Sequence, residues 1–187
     1  MRKLMLMMAM IMLTGMAGFS QVFNKGSHVI NLDIGFGNTA YFGSYYSGFI
    51  PSMSGSYEYG IVEIPMGSQI RGVVSVGGYL GWSASQYGDW GNDHYNVSDI
   101  IIAARGNYHF IFHDKLDTYA GLLLGADIVS YKWKGDGADP DVTPATTGVA
   151  FGVYVGGRWY FTDNFAVNAE LGYLISVFNV GVTFKIK

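Results

Sequence analysis

The side chains most often used in catalysis and metal binding are few in this chain and poorly spaced for either task. His28, His94, His109 and His113 do not recur at metal-ligand spacing, and no His-Glu-x-x-His or nucleophile-elbow pattern occurs. Cysteine is absent, which excludes disulfides, thiolate metal sites and cysteine nucleophiles. Residues 35 to 40 match the dinucleotide fingerprint Gly-x-Gly-x-x-Ala, but a loop-like run rich in Tyr and Gly follows where a helix is required. The sequence therefore predicts no catalytic site, no cofactor and no metal.

The charged residues show a clearer pattern, because many fall on one parity of segments that alternate between polar and apolar residues. From 98 to 110, for example, the odd positions include Asp99, Arg105 and His109, whereas the even positions are mainly apolar. In a closed sheet, the alternate positions that carry the polar residues would face the inside. The charged residues at these positions are Asp33, Glu58, Arg71, Asp99, Arg105, Asp117, Asp127, Arg158, Glu170 and Lys185. Two interpretations stay open: a selectivity lining or gate of switching ion pairs, and a plug of mutually paired charges.

The composition limits the elements that can hold these charges. Of 187 residues, 50% are hydrophobic and only 13% are charged, and the net charge is -3. Such a chain is not disordered, and a surface this poor in charge would dissolve badly in water. A slightly acidic chain also has no basic surface for nucleic acid. We expect a single domain that turns its apolar side chains toward something other than water.

The first residues have the three-part order of a secretory signal. Arg2 and Lys3 form a positive n-region, an apolar run rich in Met follows, and small residues precede Gln21. The alternative, an anchoring helix, is disfavoured because the run from Leu4 to Phe19 falls short of the about 20 residues needed to span a membrane. We predict residues 1–20 as a signal peptide cleaved near Ser20/Gln21, and residues 21–187 as the mature domain.

Beyond the signal, hydrophobicity follows period two rather than the helical period. The alternation predicts eight strands, at residues 27 to 37, 52 to 59, 69 to 85, 95 to 110, 117 to 132, 147 to 161, 165 to 174 and 177 to 187. The connections at 111 to 116 and 162 to 164 are short, whereas those at 38 to 51, 86 to 94 and 133 to 146 are long. Short connections at one end and long ones at the other are typical of an all-β, up-and-down transmembrane antiparallel barrel.

Side-chain size indicates which face of the barrel is outside. Glycine is frequent at the alternate positions that carry the polar residues. Small residues suit the inside, because an eight-stranded barrel has an interior just wide enough for side chains to fill. The apolar positions are rich in Ile, Leu, Val, Phe and Trp, which lipid accepts, and they include almost none of the Lys and Glu of a soluble, lipocalin-like barrel. Two aromatic belts are also expected, one near Phe110, Trp159 and Phe184 and the other near Trp82 and Tyr173.

Several segments carry a resemblance to a known family. Residues 157 to 165 (Gly-Arg-Trp-Tyr-Phe-Thr-Asp-Asn-Phe), running into Ala169–Tyr173, resemble the late hairpin of porin-family outer-membrane β-barrels, the small OmpA-like and OmpX-like barrels. Residues 56 to 60 (Ser-Tyr-Glu-Tyr-Gly) and 77 to 81 (Gly-Gly-Tyr-Leu-Gly) are similar to earlier strands in the style common among Bacteroidota. The resemblance covers essentially the whole mature chain.

This resemblance implies a place in a Gram-negative outer membrane, with both termini in the periplasm and the long loops facing outward. It also implies contact with outer-membrane lipid and lipopolysaccharide, and insertion by the barrel-assembly machinery. In such barrels inward Glu and Arg pairs can act as a gate, and Glu58, Arg105, Arg158 and Glu170 are the positions here that match that role.

We expect the function to rest on the barrel and its outer loops, as a structural or surface-interaction protein. Amphipathic aromatic residues serve contact surfaces well, which selects these loop residues for possible surface ligands: Tyr41, Tyr45, Tyr46, Tyr87, Trp90 and Trp133. The alternative is a narrow porin-like channel for small solutes or ions. A remote third option is a lipid-modifying enzyme using Asp93, His94 and Ser98 at the outer rim.

Overall fold

A computed structural model of the chain describes residues 22–38, 46–66, 70–90, 93–135 and 145–187. These residues form a closed antiparallel barrel in which each strand pairs with its sequence neighbours and β1 closes on β8. The strands are β1 (His28–Asn38), β2 (Tyr46–Pro65), β3 (Arg71–Trp90), β4 (Asp93–His113), β5 (Leu116–Lys134), β6 (Thr146–Tyr160), β7 (Phe165–Tyr173) and β8 (Ser176–Lys185). The predicted fold class, an eight-stranded up-and-down barrel, is confirmed.

Alternation produces this fold because successive side chains point to opposite faces of a strand. Along β6, Val149, Phe151 and Val153 are exposed on the outside, whereas Ala150 and Tyr154 are buried inside. The outer face forms an apolar band around the barrel, and the interior is mainly polar. Among the described residues no helix is long and apolar enough to cross a membrane.

Aromatic residues cluster at the two ends of the apolar band, as predicted. We call the ends the short-turn end, with the connections near 114 and 163, and the long-loop end opposite to it. At the short-turn end the ring centroids of Phe165 and Phe184 lie 5.6 Å apart, and those of Tyr108 and Phe110 lie 4.8 Å apart. Trp82 and Tyr173 are exposed toward the long-loop end. Two such girdles are expected where a barrel meets both membrane interfaces.

The strands are unequal in length, which the sequence did not predict. β2 has 20 residues instead of the predicted eight, whereas β7 and β8 have only 9 and 10. The pairing of β2 with β3 shifts register at three places, between Ser47/Ile50, Ile50/Met53 and Gly60/Val62. Each irregularity interrupts the period-two pattern of side chains. The alternation in β2 therefore predicted a strand only for the residues between the irregularities. The barrel wall therefore rises higher along β2–β6 than along β7, β8 and β1.

Some predictions fall on parts of the chain that the structure does not describe. The predicted signal peptide lies outside the described residues, as do Tyr41 and Tyr45. The other contact candidates were expected in loops, but Tyr46, Tyr87 and Trp90 fall in β2 and β3, and Trp133 falls in β5. They belong to the extended strands, because these strands continue well past the predicted boundaries.

Candidate functional site

The middle of the lumen is crossed by ion pairs between strands on opposite sides of the barrel. Arg105 on β4 places its Nη2 2.7 Å from Glu170 Oε1 on β7 and 3.3 Å from Glu58 Oε1 on β2. Its Nη1 donates to Ser56 Oγ at 3.0 Å. The three charged side chains are buried, so each charge depends on its partners in place of water.

A second arginine extends this set toward the short-turn end. Arg158 on β6 donates to Glu58 Oε1 through Nη2, and its Nη1 lies 3.1 Å from Asp117 Oδ2. His109 lies between the two carboxylates: its Nδ1 is 2.8 Å from Asp117 Oδ1 and its Nε2 is 3.5 Å from Glu58 Oε2. The guanidinium carbon of Arg158 also lies 4.5 Å from the ring centroid of Tyr119. We refer to Glu58, Arg105, His109, Asp117, Arg158 and Glu170 as the lumen network.

Neutral side chains connect the lumen network to the remaining strands. Asn31 on β1 donates to Glu58 Oε1 at 3.0 Å and accepts from Thr183 on β8 at 2.8 Å. Ser75 on β3 lies 3.0 Å from His109 Nε2, and Tyr119 on β5 donates to Glu170 Oε1 at 2.7 Å. All eight strands therefore contribute a side chain to one connected set of hydrogen bonds, which ties opposite walls together.

Glycines make room for the tyrosines of this network. On the β5–β6 pair, Tyr119 lies directly opposite Gly156, and Tyr154 lies opposite Gly121. A Cβ at Gly156 would come within 2.6 Å of the Tyr119 ring, and one at Gly121 within 2.4 Å of the Tyr154 ring. The glycines on the polar parity thus let large side chains lie flat across the interior.

Apolar layers close the lumen network from both ends. At the short-turn end, Val22 and Phe23 enter the lumen and pack with Val73, Ile111 and other buried residues of the wall. At the long-loop side, the β7–β8 turn tucks Leu174 and Ile175 inward against Tyr79 and Leu123 and their neighbours. The ion pairs of the lumen network therefore lie between two layers that exclude water. Each pair is stronger there than it would be in water, because the surroundings have a lower dielectric constant.

The N-terminal segment is held in the short-turn end by its own hydrogen bonds. Gly26 N donates to Gly60 O at 2.8 Å, and Gly60 N donates to Ser27 O at 3.0 Å. The Phe23 ring stacks on the His109 imidazole, with centroids 4.1 Å apart and an interplanar angle of 17°. The segment thus caps the network with an aromatic ring anchored to β2.

Ser75, His109 and Asp117 follow one another in the order of a hydrolytic triad. Ser75 Oγ lies 3.0 Å from His109 Nε2, and His109 Nδ1 lies 2.8 Å from Asp117 Oδ1. All three are fully buried, Phe23 covers the imidazole, and Asn107 also donates to Ser75 Oγ at 3.4 Å. A substrate would have to displace the N-terminal segment, so these contacts serve the packing of the lumen.

The structure connects six of the ten predicted lumen charges, which are the five in the lumen network and Asp33, and it separates the other four. Asp33 joins the set through a hydrogen bond from Asn168, whereas Arg71 pairs with the partly exposed Glu63 at 3.7 Å near the short-turn end. Lys185 is half-buried at that same end. Asp99 and Asp127 lie near the long-loop end, away from both arginines of the network: Asp99 accepts from Ser83 Oγ at 3.1 Å, and Asp127 Oδ1 is buried without a hydrogen-bond partner.

The extended strands carry a row of aromatic residues at the long-loop end. Register places Tyr46 opposite Tyr87, Tyr87 opposite Tyr95, and Tyr95 opposite Trp133, so the row crosses β2, β3, β4 and β5. The ring centroids of Tyr95 and Trp133 lie 4.9 Å apart. Tyr87, Tyr95 and Trp133 occupy the alternate positions of their strands that belong to the inner face of the barrel. We call these three residues the aromatic row.

Several residues in or against the lumen network were not predicted from the sequence. His109 lies among the polar positions of β4, but its spacing from the other histidines was informative only about metal binding. Phe23 lies between the signal and the first strand, where no periodicity applies. Tyr119 and Tyr154 share the inner parity with glycines, and the alternation of Tyr with Gly on β5 and β6 was the available signal.

The fold and the distribution of side chains define a class of protein. A soluble barrel keeps its apolar side chains inside, but here the exposed residues include Leu32, Leu80, Leu122, Leu124 and Phe151, while the buried ones include arginine and glutamate. In the described part of the chain every strand pairs with two neighbours, so the barrel closes without an edge strand, as hydrocarbon requires. The protein is a small transmembrane antiparallel β-barrel.

No protein-family model matches the chain, and no curated protein matches it. Among solved structures, the N-terminal β-barrel domain of Pseudomonas aeruginosa OprF is similar, with a TM-score of 0.49 and 18% identity over 88% of this chain and 100% of that chain. Ail, the attachment invasion locus protein of Yersinia pestis, in complex with the heparin analogue sucrose octasulfate, gives a TM-score of 0.48 and 13% identity over 85% of this chain and 93% of that chain.

Proposed function

We propose that the protein is an integral outer-membrane barrel of a Gram-negative bacterium, exported with residues 1–20 as its signal and inserted with the short-turn end in the periplasm. The lipid-facing band and the two aromatic girdles support a membrane-spanning position. β7 and β8, with 9 and 10 residues, have the length that a tilted strand needs to cross the hydrocarbon core.

Within that membrane the barrel acts as a sealed anchor for a surface-interaction site at its long-loop end. The observation that carries this proposal is the lumen network, because its buried ion pairs join strands on opposite walls. The apolar layers around Phe23 and Leu174 exclude water on either side of it. Ion passage would require breaking several buried ion pairs at once, each of which is costly to leave unpaired.

The contact surface of this proposal is the inner face of the long strands, where the aromatic row lies. Large aromatic side chains bury much area on contact and carry polar groups at their edges, which favours them at binding surfaces. Tyr87 and Trp133, both selected from the sequence, lie in this row with Tyr95 between them. The partner is expected to be a surface polymer or protein outside the cell.

Conductance tests the sealed anchor directly. Residues 21–187 are refolded, closure is checked by the gel shift of folded barrels, and the protein is inserted into planar bilayers. We expect no steady current from the folded barrel. A steady current that disappears when the lumen is blocked would contradict the proposal and favour the narrow channel.

Adhesion tests the surface role. Cells that display the protein are applied to wells coated with extracellular matrix, and the triple variant Tyr87→Ala, Tyr95→Ala, Trp133→Ala is compared with wild type at equal surface expression. The matched control is Tyr59→Ala, an exposed tyrosine of β2 toward the opposite end. We expect the triple variant alone to lose adhesion. Equal adhesion by all three proteins would exclude the aromatic row as the contact surface.

A further inference from the structure

The outer part of β6 is an open edge of the sheet at the long-loop end. Pairing between β6 and β7 stops at Val153 and Tyr173, because the chain turns back after β7 to form β8. β6 nevertheless continues to pair with β5 as far as Thr146. Within the described part of the chain, residues 146–152 therefore have a strand on one side only, and alternate backbone N–H and C=O groups point toward the open side. We call residues 146–152 the β6 edge.

The β6 edge lies where molecules outside the membrane can reach it. Tyr173, which marks the end of pairing with β7, belongs to the aromatic girdle at the long-loop end, so the β6 edge extends outward from the girdle. Val149 and Phe151 project from its outer face and are 80% and 58% exposed. Apolar side chains exposed beyond the membrane-spanning band indicate a contact surface for another molecule.

The β6 edge also lacks the features that normally prevent the addition of a strand. Natural sheets protect open edges with charged residues, proline, bulges or very short strands. Residues 145 to 152 read Ala-Thr-Thr-Gly-Val-Ala-Phe-Gly and contain neither a charged residue nor proline. The register between β5 and β6 runs from Thr146 to Trp159 without a bulge. The segment is therefore suited to accept one more strand.

A cavity of about 280 Å³ lies directly beside the β6 edge. Its wall includes Ala150 of β6, Leu123 of β5, and Leu174 and Ile175 between β7 and β8. The inward positions of the β6 edge are small, and a Cβ at Gly148 would meet no described atom within 4 Å. The interior next to the β6 edge thus has room for an inward side chain of an added strand.

The lining of the cavity favours an apolar side chain over an acidic one. An alkyl side chain would contact Leu174 and Ile175 and would bury apolar surface on both sides. Asp99 and Asp127 form part of the same lining, so a carboxylate brought into the cavity would approach two others and lose hydration. The cavity therefore selects for the type of side chain as well as for its size.

We propose that the β6 edge binds an extended segment of another protein by adding that segment to the sheet. The added strand runs antiparallel to β6 and continues the line of β7 outward. Its backbone pairs with residues 146–152, its outward side chains contact Val149 and Phe151, and an inward apolar side chain fills the cavity. In this mode main-chain hydrogen bonds supply the affinity, and the pocket supplies the specificity.

A second copy of the chain does not fit the β6 edge. Copies that insert in the same orientation have parallel β6 strands, because each runs from the long-loop end to the short-turn end. Two β6 edges in one membrane would thus meet in parallel, which is the less stable pairing. The partner is therefore a segment from outside the membrane. This inference rests on the proposed surface role and gives it a class of partner, at a place other than the aromatic row.

The absence of cysteine from the chain allows disulfide trapping to map the added strand. The probe is a peptide of alternating valine and threonine with a central leucine, a lysine at each end, and one cysteine near either terminus. Thr147→Cys and Phe151→Cys, both at exposed positions of the outer face, are prepared in residues 21–187 and placed in phosphatidylcholine nanodiscs. The matched control is Ile100→Cys, an exposed outer-face position whose neighbours Trp82 and Ile128 lie on paired strands at both sides.

An antiparallel added strand has its N-terminal end near Phe151 and its C-terminal end near Thr147. We therefore expect Phe151→Cys to trap the peptide with the N-terminal cysteine, and Thr147→Cys to trap the peptide with the C-terminal cysteine. Each reaction should be at least about tenfold faster than the exchanged combinations and the Ile100→Cys control, because a bound peptide holds its thiol at a high effective concentration. Replacement of the central leucine by glutamate should slow both reactions.

N-methylated peptides test the main-chain hydrogen bonds separately from the side chains. Methyl groups on alternate amides remove the donors on one side of the peptide strand only, so one alternate set should abolish trapping and the other should leave it unchanged. The gel shift checks that each cysteine variant is folded. If a variant fails that check, hydrogen exchange of the wild type replaces it: the peptide should slow exchange at residues 146–152 and leave residues 165–173 of β7 unchanged.

Three results would overturn the proposal. Equal trapping by all three cysteine variants would mean that the peptide adsorbs to any apolar surface of the barrel. Trapping that survives both sets of N-methyl groups would mean that side chains bind without addition of a strand. Uniformly slow exchange at residues 146–152 before the peptide is added would mean that another part of the chain or a second copy already covers the β6 edge. None of these results changes the adhesion test of the aromatic row, which decides the surface role separately.

Discussion

The middle of the lumen and its long-loop end both contain inward-facing carboxylates, but the two regions differ in the side chains that contact these carboxylates. Glu58, Asp117 and Glu170 each contact an arginine, and apolar layers cover them from both sides. Asp99 and Asp127 lie beside a cavity whose described lining has no basic residue. The first arrangement neutralises charge and holds the wall together. In the second arrangement Asp99 accepts from Ser83 Oγ, and neither Asp99 nor Asp127 contacts an arginine of the lumen network.

The largest expected effect comes from removing a charge in the middle of the lumen. Arg158→Ala leaves Glu58 and Asp117 buried without this partner, and loss of one member of a buried pair typically costs about 3–5 kcal/mol. The free energy of unfolding in urea, followed by the gel shift, measures the change. Arg71→Ala is the control, because the Arg71–Glu63 pair is partly exposed and such pairs contribute about 0–1 kcal/mol. Similar losses in both variants would remove the distinction between buried and exposed charges.

An intermediate effect is expected where glycine admits a tyrosine to the network. Gly156→Ala puts a Cβ 2.6 Å from the Tyr119 ring and displaces the hydroxyl from Glu170. Overpacking of this kind typically costs about 1–3 kcal/mol of unfolding free energy. Gly78→Ala, on the outer face, has only Ala103 O at 4.0 Å and should change stability little. Equal unfolding free energies for the two variants would show that Tyr119 moves without cost.

The smallest effect is expected at the long-loop end. Asp127→Asn keeps the shape of the side chain and removes a charge that no arginine of the network contacts. We expect the free energy of unfolding to stay within about 0.5 kcal/mol of wild type, in contrast to Arg158→Ala. Urea unfolding under the same conditions measures it. A loss as large as that of Arg158→Ala would mean that Asp127 belongs to the structural charges and would erase the difference between the two regions.

Parity selected the inward charges from the sequence but could not sort them. Glu58, Arg105, Asp117, Arg158 and Glu170 come from five different strands, and their pairing depends on how far each strand is staggered around the barrel. Arg71 satisfies the same parity rule and yet lies near the short-turn end, because parity states which face a side chain occupies and not its depth.

Four of the contact candidates lie in strands and not in loops for a related reason. Tyr87 and Trp133 lie among Gly, Ser and Asp, a composition typical of loops, so their segments were expected outside the strands. Pairing with Tyr95 on β4 continues the sheet through them. Cross-strand partners decide where a strand ends, and the pattern within a single segment does not contain those partners.

Local pattern was sufficient for the strand count, the outward apolar face and the barrel class, because period-two alternation and side-chain size act on each strand separately. Closure decided what the interior does. Only the packed barrel brings Glu58 to Arg158 across the lumen, places Phe23 on His109, and keeps Asp99 and Asp127 away from both arginines of the lumen network. These contacts join residues far apart along the chain, so their energies depend on register and burial, which no local pattern contains.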